Sequence, residues 1–483
     1  MKEKLGYLPQ NQRKKILLIC DDIRAHSGVA TVAREIVVHT SHHFNWVNVA
    51  GAIQHPDKGK RFDISGETNK LAEIEDSSVT LYPIDGYGDP TFIRQVIQIE
   101  KPDAIFLITD PRYFTWLFNI ENEIRKKTPI VYLNIWDSPT PYPLWNKVYY
   151  ESCDALLAIS KQTKNINEVV LGKKATNKVI KYVPHGLNPD NYFPITKEYP
   201  KFKEFTEFKN QILGGKEYNF VLFFNSRNIR RKQIPDTLMA FRLFLDGLTK
   251  EEASKCAILL HTEVVSEHGT DLIAVKNYLF DEYPDAVIFH NQGIGVEQMN
   301  WLYNCSDAQI LITDNEGWGL SLTEAILVGN PIIANVQGGM QDQMRFEDNE
   351  GKWIDFNIDF PSNHRGTYKK HGDWAFPIFP SNISIQGSPQ TPYISADRCN
   401  PEQVAEKINS VYIINPEIRK SIGLEGRKWA LSDEAGFTSY HQANRVIEAL
   451  DELFTTWKPR EKYELINATT HKSDVTRKHK LIY

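Results

Sequence analysis

Residues 308–325 of the chain have the sequence AQILITDNEGWGLSLTEA. The apolar run 308–312 has the length of a buried strand, and apolar side chains recur at helical spacing from Leu320 onward. Between the two, Gly317 and Gly319 allow a sharp turn and a close approach of the backbone to a ligand. The pattern predicts a strand, a tight loop and a helix whose N-terminal N–H groups favour a phosphate.

Two glutamates lie on either side of this turn, Glu316 on the loop and Glu324 in the helix. A carboxylate accepts paired hydrogen bonds from vicinal hydroxyls, so each glutamate could hold a different sugar ring. The alternative is an ordinary strand-to-helix connection with one solvated and one helix-surface glutamate. This stretch alone favours neither interpretation.

A second strand end carries a run of positive charge. The predicted strand 219–224 is followed by residues 225–233, NSRNIRRKQ, which open into a helix and place four cations within six positions. Cations disfavour the N-terminal end of a helix dipole, and a bound anion would relieve that conflict. Arg offers a planar fork and Lys a compact charge, which together suit a diphosphate. The alternative is a solvated basic loop.

Short β-rich runs alternate with helical stretches over most of the chain, which predicts an α/β fold with mostly parallel sheets. Two such series are separated by a Pro- and Asn-rich stretch, residues 185–215, in which we place an interdomain linker. The first predicted strands are Ile16–Cys20, Val47–Ile53, Ala104–Ile108, Ile130–Asn134, Ala155–Ile159 and Val179–Val183. The second series has predicted strands at Val221–Phe224, Ala257–His261, Ala286–His290, Gln309–Ile312 and Ile332–Asn335.

The predicted domains follow from this alternation. Residues 1–200 are predicted to form an N-terminal Rossmann-like domain, and residues 201–440 a C-terminal Rossmann-like domain. Residues 344–395 break the pattern with aromatic, Pro-rich sequence and are interpreted as an ordered insertion. Residues 441–457 form a last helix that could return to the first domain, and residues 458–483 form a basic tail that we expect to be flexible.

The composition is that of a soluble globular protein, since 41% of the 483 residues are hydrophobic and 24% are charged. No apolar run approaches the roughly 18 residues that a membrane span needs, although peripheral membrane contact stays open. The five cysteines are scattered without metal-ligand spacing, which predicts a reducing, cytoplasmic setting and no metal site. The net charge of −5 gives no overall attraction to nucleic acid.

Three segments together resemble the family-4 retaining glycosyltransferases of the GT-B fold. The first is the Glu-x7-Glu pattern of Glu316 and Glu324, followed by Gly329-Asn330-Pro331 and Gly338-Gly339. The second is the spacing from Arg227 to Lys232, which is similar to that family's diphosphate-binding pair. The third, residues 183–188 (VPHGLN), is similar to its interdomain segment. The resemblance spans about residues 14–455 and implies two Rossmann-like domains that face a central cleft. It also implies that residues 1–200 form the acceptor-side domain and residues 201–440 the nucleotide-sugar domain.

The resemblance also implies roles for individual residues. Glu316 would bind the donor sugar, Glu324 the ribose hydroxyls, and Arg227 with Lys232 the two phosphates; Glu316, Arg227 and Lys232 are the catalytic set that it predicts. The main chain of Gly319, Leu320 and Ser321 would add to the phosphate cradle, and Gly28 would let the first-domain loop close over the donor. Ser27 and Gly28 are equally well explained as a helix cap and a turn residue. The loop that contains Asn291 and Gly293 resembles the place where the nucleobase meets main chain.

One position departs from the family pattern. Trp136 lies in Asn134-Ile135-Trp136-Asp137, where many relatives have a histidine that faces the donor sugar, so the identity of the sugar stays open. Asp137 and Asp110 follow predicted strand ends and are candidate acceptor contacts, with helix capping or loop hydrogen bonding as an equal alternative.

The predicted function is a cytoplasmic, metal-independent hexosyltransferase that uses a nucleotide-diphosphate sugar and needs no cofactor. It would act, with retention of anomeric configuration, on a hydroxyl acceptor in a glycan, a lipid-linked acceptor or a surface polysaccharide. A glycosyltransferase that modifies nucleic-acid bases is one alternative, for which the basic tail and the charge of the N-terminal domain are the only support. A nucleotide-sugar-binding protein without turnover is another.

Overall fold

The computed structural model describes residues 6–51, 54–138, 143–355 and 366–460. The chain divides into two compact units. The first consists of Met1–Gly186 together with Ser439–Tyr483, and the second of Leu187–Thr438. Residues 461–483 of the predicted tail lie outside the described residues.

The first unit contains a sheet in the order β3-β4-β2-β1-β5-β6-β7-β8, in which the short β3 alone pairs antiparallel among the described strands. Its strands are β1 (Lys14–Asp21), β2 (Phe44–Gly51), β3 (Phe62–Asp63), β4 (Val79–Pro83), β5 (Ala104–Ile108), β6 (Ile130–Asn134), β7 (Ala155–Ala158) and β8 (Val179–Tyr182). Its helices are α1 (Gly28–Thr40), α2 (Ser65–Ala72), α3 (Pro90–Glu100), α4 (Thr115–Phe118), α5 (Glu121–Ile124), α6 (Lys147–Glu151), α7 (Lys161–Leu171) and, near the chain end, α17 (Ser439–Thr456).

The central strands of this sheet are almost continuously apolar because both of their faces are covered. β5 and β6 have no exposed residue, as expected for parallel strands between layers of helices. The strand order reverses between β1 and β5, whose backbones pair in parallel from Ile16 with Ala104 to Ile19 with Leu107. The last helix, α17, belongs to this unit, and its Ser439 hydroxyl donates a hydrogen bond of 2.5 Å to Glu35 of α1.

The second unit contains a parallel sheet in the order β11-β10-β9-β12-β13-β14 and a separate antiparallel pair, β15-β16. Its strands are β9 (Phe220–Asn225), β10 (Cys256–His261), β11 (Val287–His290), β12 (Ala308–Leu311), β13 (Ile332–Asn335), β14 (Ala375–Ile378), β15 (Asn382–Ser388) and β16 (Thr391–Arg398). Its helices are α8 (Phe202–Ile212), α9 (Ile234–Asp246), α10 (Lys250–Ala253), α11 (Leu272–Leu279), α12 (Val296–Asn304), α13 (Leu320–Val328), α14 (Met340–Met344), α15 (Pro401–Tyr412) and α16 (Pro416–Ala430).

The structure differs from the sequence prediction in the stretch 185–215, which contains helix α8 rather than only linker. Phe202, Phe205 and Phe208 recur every three residues and give this helix one aromatic face. That face packs against Trp301 and Cys305 of the second unit. Burial of this aromatic face stabilises α8. The helix is difficult to predict from the sequence because Pro and Asn residues surround it.

The predicted insertion, residues 344–395, joins the second unit's main sheet. β14 extends that sheet by pairing in parallel with β13, from Ile332 with Ala375 to Asn335 with Ile378. β15 and β16 then form an antiparallel hairpin, and most residues of β15 are exposed. Residues 356–365 of the insertion lie outside the described residues.

Another difference concerns the first unit. Strand β4, which is absent from the predicted strands, pairs in parallel with β2. Across the described residues, no helix is both long enough and apolar enough to span a membrane.

Candidate functional site

The loop between β12 and α13 turns sharply into a helix. Gly319 is the residue before the helix and has φ +87°, a left-handed conformation that L side chains rarely adopt. No described side chain caps this helix end, so the main-chain N–H groups of the first turn, at Leu320 and Ser321, offer donors to an anion. Both residues are partly exposed, which leaves the helix end accessible.

Side-chain amides hold the backbone of this loop. Asn335 donates to the Thr313 carbonyl at 2.9 Å, and the Gln337 side-chain oxygen accepts from the Glu316 N–H at 2.8 Å. Gln343 donates to the Trp318 carbonyl at 2.7 Å. The loop is therefore fixed on both sides of Glu316 before any ligand binds.

Two glycines allow the neighbouring loop to pack against it. A Cβ at Gly338, which has φ +54°, would overlap the carbonyl oxygen of Glu316. A Cβ at Gly339 would overlap the carbonyl oxygen of Gly317. The Gly339 N–H donates to the Glu316 carbonyl at 3.2 Å, so the contact between the two loops is main chain against main chain.

Glu316 forms ion pairs with two cations of the basic run. The Lys232 ammonium donates directly to its carboxylate, and Arg231 approaches the same oxygen at 3.2 Å. Burial alone would raise the pKa of Glu316, but Lys232 and Arg231 outweigh it and lower the pKa to about 2. Glu316 is therefore an ionised carboxylate, able only to accept hydrogen bonds, at any pH near neutrality.

The two residues of the predicted diphosphate pair lie in different surroundings. Lys232 is buried, with 9% of its side chain exposed, and contacts Glu316. Arg227 is exposed, and its guanidinium has no hydrogen-bond or ion-pair partner among the described residues. Arg231, which the predicted set leaves out, also donates to the Asn315 carbonyl at 2.5 Å. The sequence signal that could have identified Arg231 is its position in the basic run 225–233.

Glu324 lies among hydroxyl and amide donors rather than cations. Tyr303 donates to its carboxylate at 2.5 Å, Tyr192 at 3.1 Å and Asn225 at 3.3 Å. Burial raises the pKa of Glu324 to about 7, although these three hydrogen bonds act in the opposite direction. Glu324 thus exchanges a proton near neutral pH.

Tyr192 and Tyr303 were not predicted as part of the site. Tyr303 is fully buried at the end of α12, and Tyr192 packs edge-on against it with 6.2 Å between ring centroids. No local motif identifies them, because Tyr192 comes from the stretch interpreted as a linker. A carboxylate has about four acceptor positions, so three donors leave Glu324 one for a ligand.

The predicted nucleobase loop follows β11. Asn291 and Gly293 are exposed, and a Cβ at Gly293 would meet no atom within 4 Å. The loop is near the carboxyl edge of the sheet, where β10 and β11 end in His261 and His290, whose Nδ1 atoms are 2.8 Å apart. Burial and the neighbouring His290 lower the pKa of His261 to about 4.

In the first unit, Asp110 and the turn that contains Gly28 form hydrogen bonds within the protein. Gly28 begins α1 behind Ser27, whose hydroxyl accepts from the Ala30 N–H at 3.0 Å, so this turn has the cap that the sequence allowed. The Asp110 carboxylate accepts from the Arg112 N–H at 2.9 Å and pairs with the Arg112 guanidinium. Ligand contact by Gly28 and Asp110 stays a prediction.

Trp136 is 7% exposed and belongs to the hydrophobic core of the first unit. Its indole nitrogen donates to the Ser138 carbonyl at 2.7 Å, and its ring packs edge-on against Trp145. Asp137 is partly exposed, and its carbonyl accepts from Gln162 at 3.3 Å. The described structure shows Trp136 as a packing residue, and a sugar contact stays a prediction for both positions.

Each unit is a Rossmann-like layer of parallel strands between helices, and the combination of two such units in one chain is the GT-B fold. The candidate donor residues of the second unit lie beyond the carboxyl ends of β9 and β12, between which the strand order reverses. In open parallel sheets, ligands bind at such a reversal.

Solved structures share this fold across most of the chain. Anabaena HepE in complex with UDP-glucose is 14% identical, with a TM-score of 0.61, and the match covers 91% of this chain and 100% of that chain. Sucrose-phosphate synthase from Thermosynechococcus elongatus is 14% identical, with a TM-score of 0.62 and coverage of 92% and 100%. The α,α-trehalose 6-phosphate synthase from Burkholderia multivorans is 9% identical, with a TM-score of 0.57 and coverage of 92% and 99%.

The sequence comparisons found no match, either to a protein-family model or to a curated protein. At identities of 14% and below, the structural likeness shows the fold alone.

Proposed function

We propose that this protein is a family-4-like retaining glycosyltransferase of the cytoplasm. It transfers a hexose-type sugar from a nucleotide-diphosphate sugar to a hydroxyl acceptor, without a metal ion. The observation that carries the proposal is the Lys232–Glu316 ion pair beside the uncapped N-terminus of α13.

The helix end and Lys232 together suit a diphosphate. The Leu320 and Ser321 N–H groups would donate to one phosphate, helped by the positive end of the helix dipole. The buried Lys232 and the exposed Arg227 would supply positive charge to the other phosphate. These groups replace the charge compensation that a divalent ion provides in other phosphate sites, which supports transfer without a metal.

Glu316 suits the hydroxyl groups of the donor sugar. It is ionised at neutral pH and its loop is held by Gln337, so its free acceptor positions are in place before binding. Because Lys232 and Arg231 already neutralise this carboxylate, it is a poor nucleophile. We therefore assign it to positioning the sugar and not to a covalent intermediate.

The proposed transfer breaks the bond between C1 of the sugar and the phosphate oxygen. The acceptor oxygen forms the new bond to C1 on the same face, and its proton passes to the departing phosphate. The protein then contributes positioning and stabilisation of the negative charge that develops on the diphosphate. Glu324 would hold the ribose through its one remaining acceptor position, with its carboxylate oriented by the Tyr303 and Tyr192 hydroxyls.

UDP-glucose is the first donor to test, because it is bound in the HepE structure. The assay incubates the protein with UDP-glucose and hydroxyl acceptors of the glycan, lipid and modified-base classes, and it measures UDP release and sugar transfer. We expect the new glycosidic bond to keep the donor's anomeric configuration, as measured by proton coupling constants. An inverted product would contradict the proposed mechanism and leave the fold unaffected.

Two isosteric variants separate the site from general effects of charge. Glu316→Gln removes the ionised acceptor and should lower turnover about a hundredfold or more. Glu350→Gln changes an exposed carboxylate, whose side chain is 72% exposed, and should leave turnover unchanged. Equal activity of the two variants, or failure of every nucleotide sugar to bind, would contradict the proposal.

A further inference from the structure

A cavity of the second unit is lined by residues other than Arg227, Lys232, Glu316 and Glu324. Its volume is about 140 Å³, far more than the roughly 10–15 Å³ that one water needs. It lies between the loop after β9 and the loop after β10, with one residue from β16. The lining residues are Asn228, Ile229, Arg230, Gln233, Pro235, Asp236, Gly269, Thr270 and Arg398.

Positive charge predominates among these residues. Arg230 is exposed, and its guanidinium has no partner among the described residues. Arg398 pairs with Asp236 at 2.5 Å, and half of the Arg398 side chain is exposed. The lining residues therefore carry two guanidinium groups and one carboxylate, and the Asp314 carboxylate lies next to them against Gln233.

Gln233 adds an unsatisfied acceptor to the cavity. It is 4% exposed, and its side-chain nitrogen donates to the Asp314 carboxylate, which fixes the orientation of the amide. Its side-chain oxygen is buried and accepts no hydrogen bond from any described residue. A buried acceptor of this kind is costly unless a ligand supplies a donor.

The cavity also contains the start of a helix. Gln233 precedes α9 and no described side chain caps that end, so the N–H groups of Ile234 and Asp236 are available to an anion, whereas Pro235 has no N–H. The Asn228 side chain joins the two loops that line the cavity, since it donates to the Thr270 carbonyl at 2.7 Å and accepts from the Thr270 N–H at 3.2 Å.

We propose that this cavity binds a small phosphate-bearing ligand, either inorganic phosphate or a phosphate monoester. Arg230 and Arg398 bind the phosphate oxygens, and Gln233 accepts a hydrogen bond from a hydroxyl of the ligand or from a protonated phosphate oxygen. Asp314 links Gln233 to the loop that carries Glu316, so an occupied cavity steadies the candidate donor site. Only this last statement rests on the proposed function.

Calorimetric titration of the full chain with inorganic phosphate tests the binding site. The titration is made in Lys232→Ala, which weakens phosphate binding at the donor site, and then with Arg230→Ala added. We expect binding to persist in the first variant and to weaken about tenfold or more in the second, as for loss of a charged hydrogen bond. Lys203→Ala removes a cation of α8 whose side chain is 91% exposed, and it should change the affinity less than about twofold.

Two results would overturn the assignment. One is complete loss of phosphate binding in Lys232→Ala alone, because the anion would then occupy only the donor site. The other is an equal affinity of Arg230→Ala and Lys203→Ala. The variant Arg398→Ala provides a second check of the same pocket, and Arg230→Ala stays informative if that variant does not fold, because the Arg230 side chain is exposed.

Titration with glucose 6-phosphate distinguishes the two sources of the phosphate. An affinity clearly above that of inorganic phosphate assigns the cavity to an ester, and an equal affinity assigns it to the free ion. The effect on the donor loop is measured as the affinity for UDP-glucose with and without glucose 6-phosphate. We expect tighter UDP-glucose binding in the wild type and no change in Arg230→Ala.

Unchanged UDP-glucose affinity in the wild type would overturn the link to the donor loop. If UDP-glucose does not bind at all while phosphate binding still depends on Arg230, the proposed function fails and the cavity assignment stands.

Discussion

Glu316 and Glu324 are eight residues apart at the two ends of one turn, and their surroundings differ in kind. Glu316 lies against two cations, which keep its pKa at about 2 despite burial. Glu324 lies against two tyrosine hydroxyls and an amide, and burial raises its pKa to about 7. The comparison shows that hydrogen bonds from neutral donors do not offset burial here, whereas full charges do.

This difference suggests a division of labour. A permanently ionised carboxylate held by cations can position sugar hydroxyls at every pH in the neutral range. A carboxyl group that titrates near neutrality can bind hydroxyls as an acceptor or a donor, according to its protonation.

The largest effect is expected for Lys232→Ala. It removes the cation that both compensates Glu316 and is proposed to bind the diphosphate, so turnover should fall by about two to three orders of magnitude. Burial is then opposed by Arg231 alone, and the pKa of Glu316 should move up toward that of Glu324. Steady-state kinetics with UDP-glucose and the pH dependence of unfolding measure the two effects. Near-wild-type turnover with a correctly folded variant would contradict this role.

The next effect concerns stability. Glu324 has a pKa above the usual value of 4.5, so the folded state holds a proton that the unfolded state releases between pH 4.5 and about 7. Its contribution to stability is fully present below pH 4.5 and is lost as the pH rises through about 7, by on the order of 3 kcal/mol. Glu316 has the opposite sign: its contribution is present above pH 4.5 and is lost as the pH falls through about 2.

Urea unfolding as a function of pH separates the two residues. Glu324→Gln should flatten the wild-type decline in unfolding free energy between pH 4.5 and 7, and Glu316→Gln should leave that decline in place. A decline of equal size in Glu324→Gln and the wild type would show that Glu324 does not titrate in this range.

The smallest effect is expected for Tyr303→Phe. The lost hydrogen bond lowers the pKa of Glu324 in the wild type, so its removal should shift the titration further upward. The loss of stability should be about 1 kcal/mol, the net value of one buried hydrogen bond. Tyr278→Phe is the matched control because Tyr278 is 84% exposed. An unchanged or lowered titration midpoint in Tyr303→Phe would contradict the proposed contact.

The α/β fold with two Rossmann-like units was predictable because its main signal is local. β5 is a buried apolar run of five residues, β6 is a buried strand that ends at Asn134, and the predicted bounds of both are those observed. Helix α8 was missed because its stability depends on burial against Trp301, almost a hundred residues away along the chain. β14 lies in aromatic, Pro-rich sequence and is a strand because β13 provides its hydrogen-bonding partner.

The candidate site follows the same rule. The Glu316 loop and the basic run were visible as local patterns, and the structure brings Lys232 to Glu316. The hydrogen bond from Tyr192 to Glu324 joins residues 132 positions apart, and no spacing in the sequence predicts it. The pairing of Glu316 with Arg231, next to the predicted Lys232, depends on the direction of side chains in the short turn Arg230–Lys232 after β9, which the sequence alone does not specify.

The three amides that hold the Glu316 loop have a consequence for its response to salt. Asn335, Gln337 and Gln343 are neutral, and Debye screening weakens interactions between charges far more than hydrogen bonds between dipoles. The shape of the loop should therefore persist at high ionic strength. The strength with which it attracts a polyanion should decline, because that attraction depends on exposed cations such as Arg227. In this chain, neutral hydrogen bonds fix the shape of the binding loop, and exposed charges determine how strongly it attracts an anionic ligand.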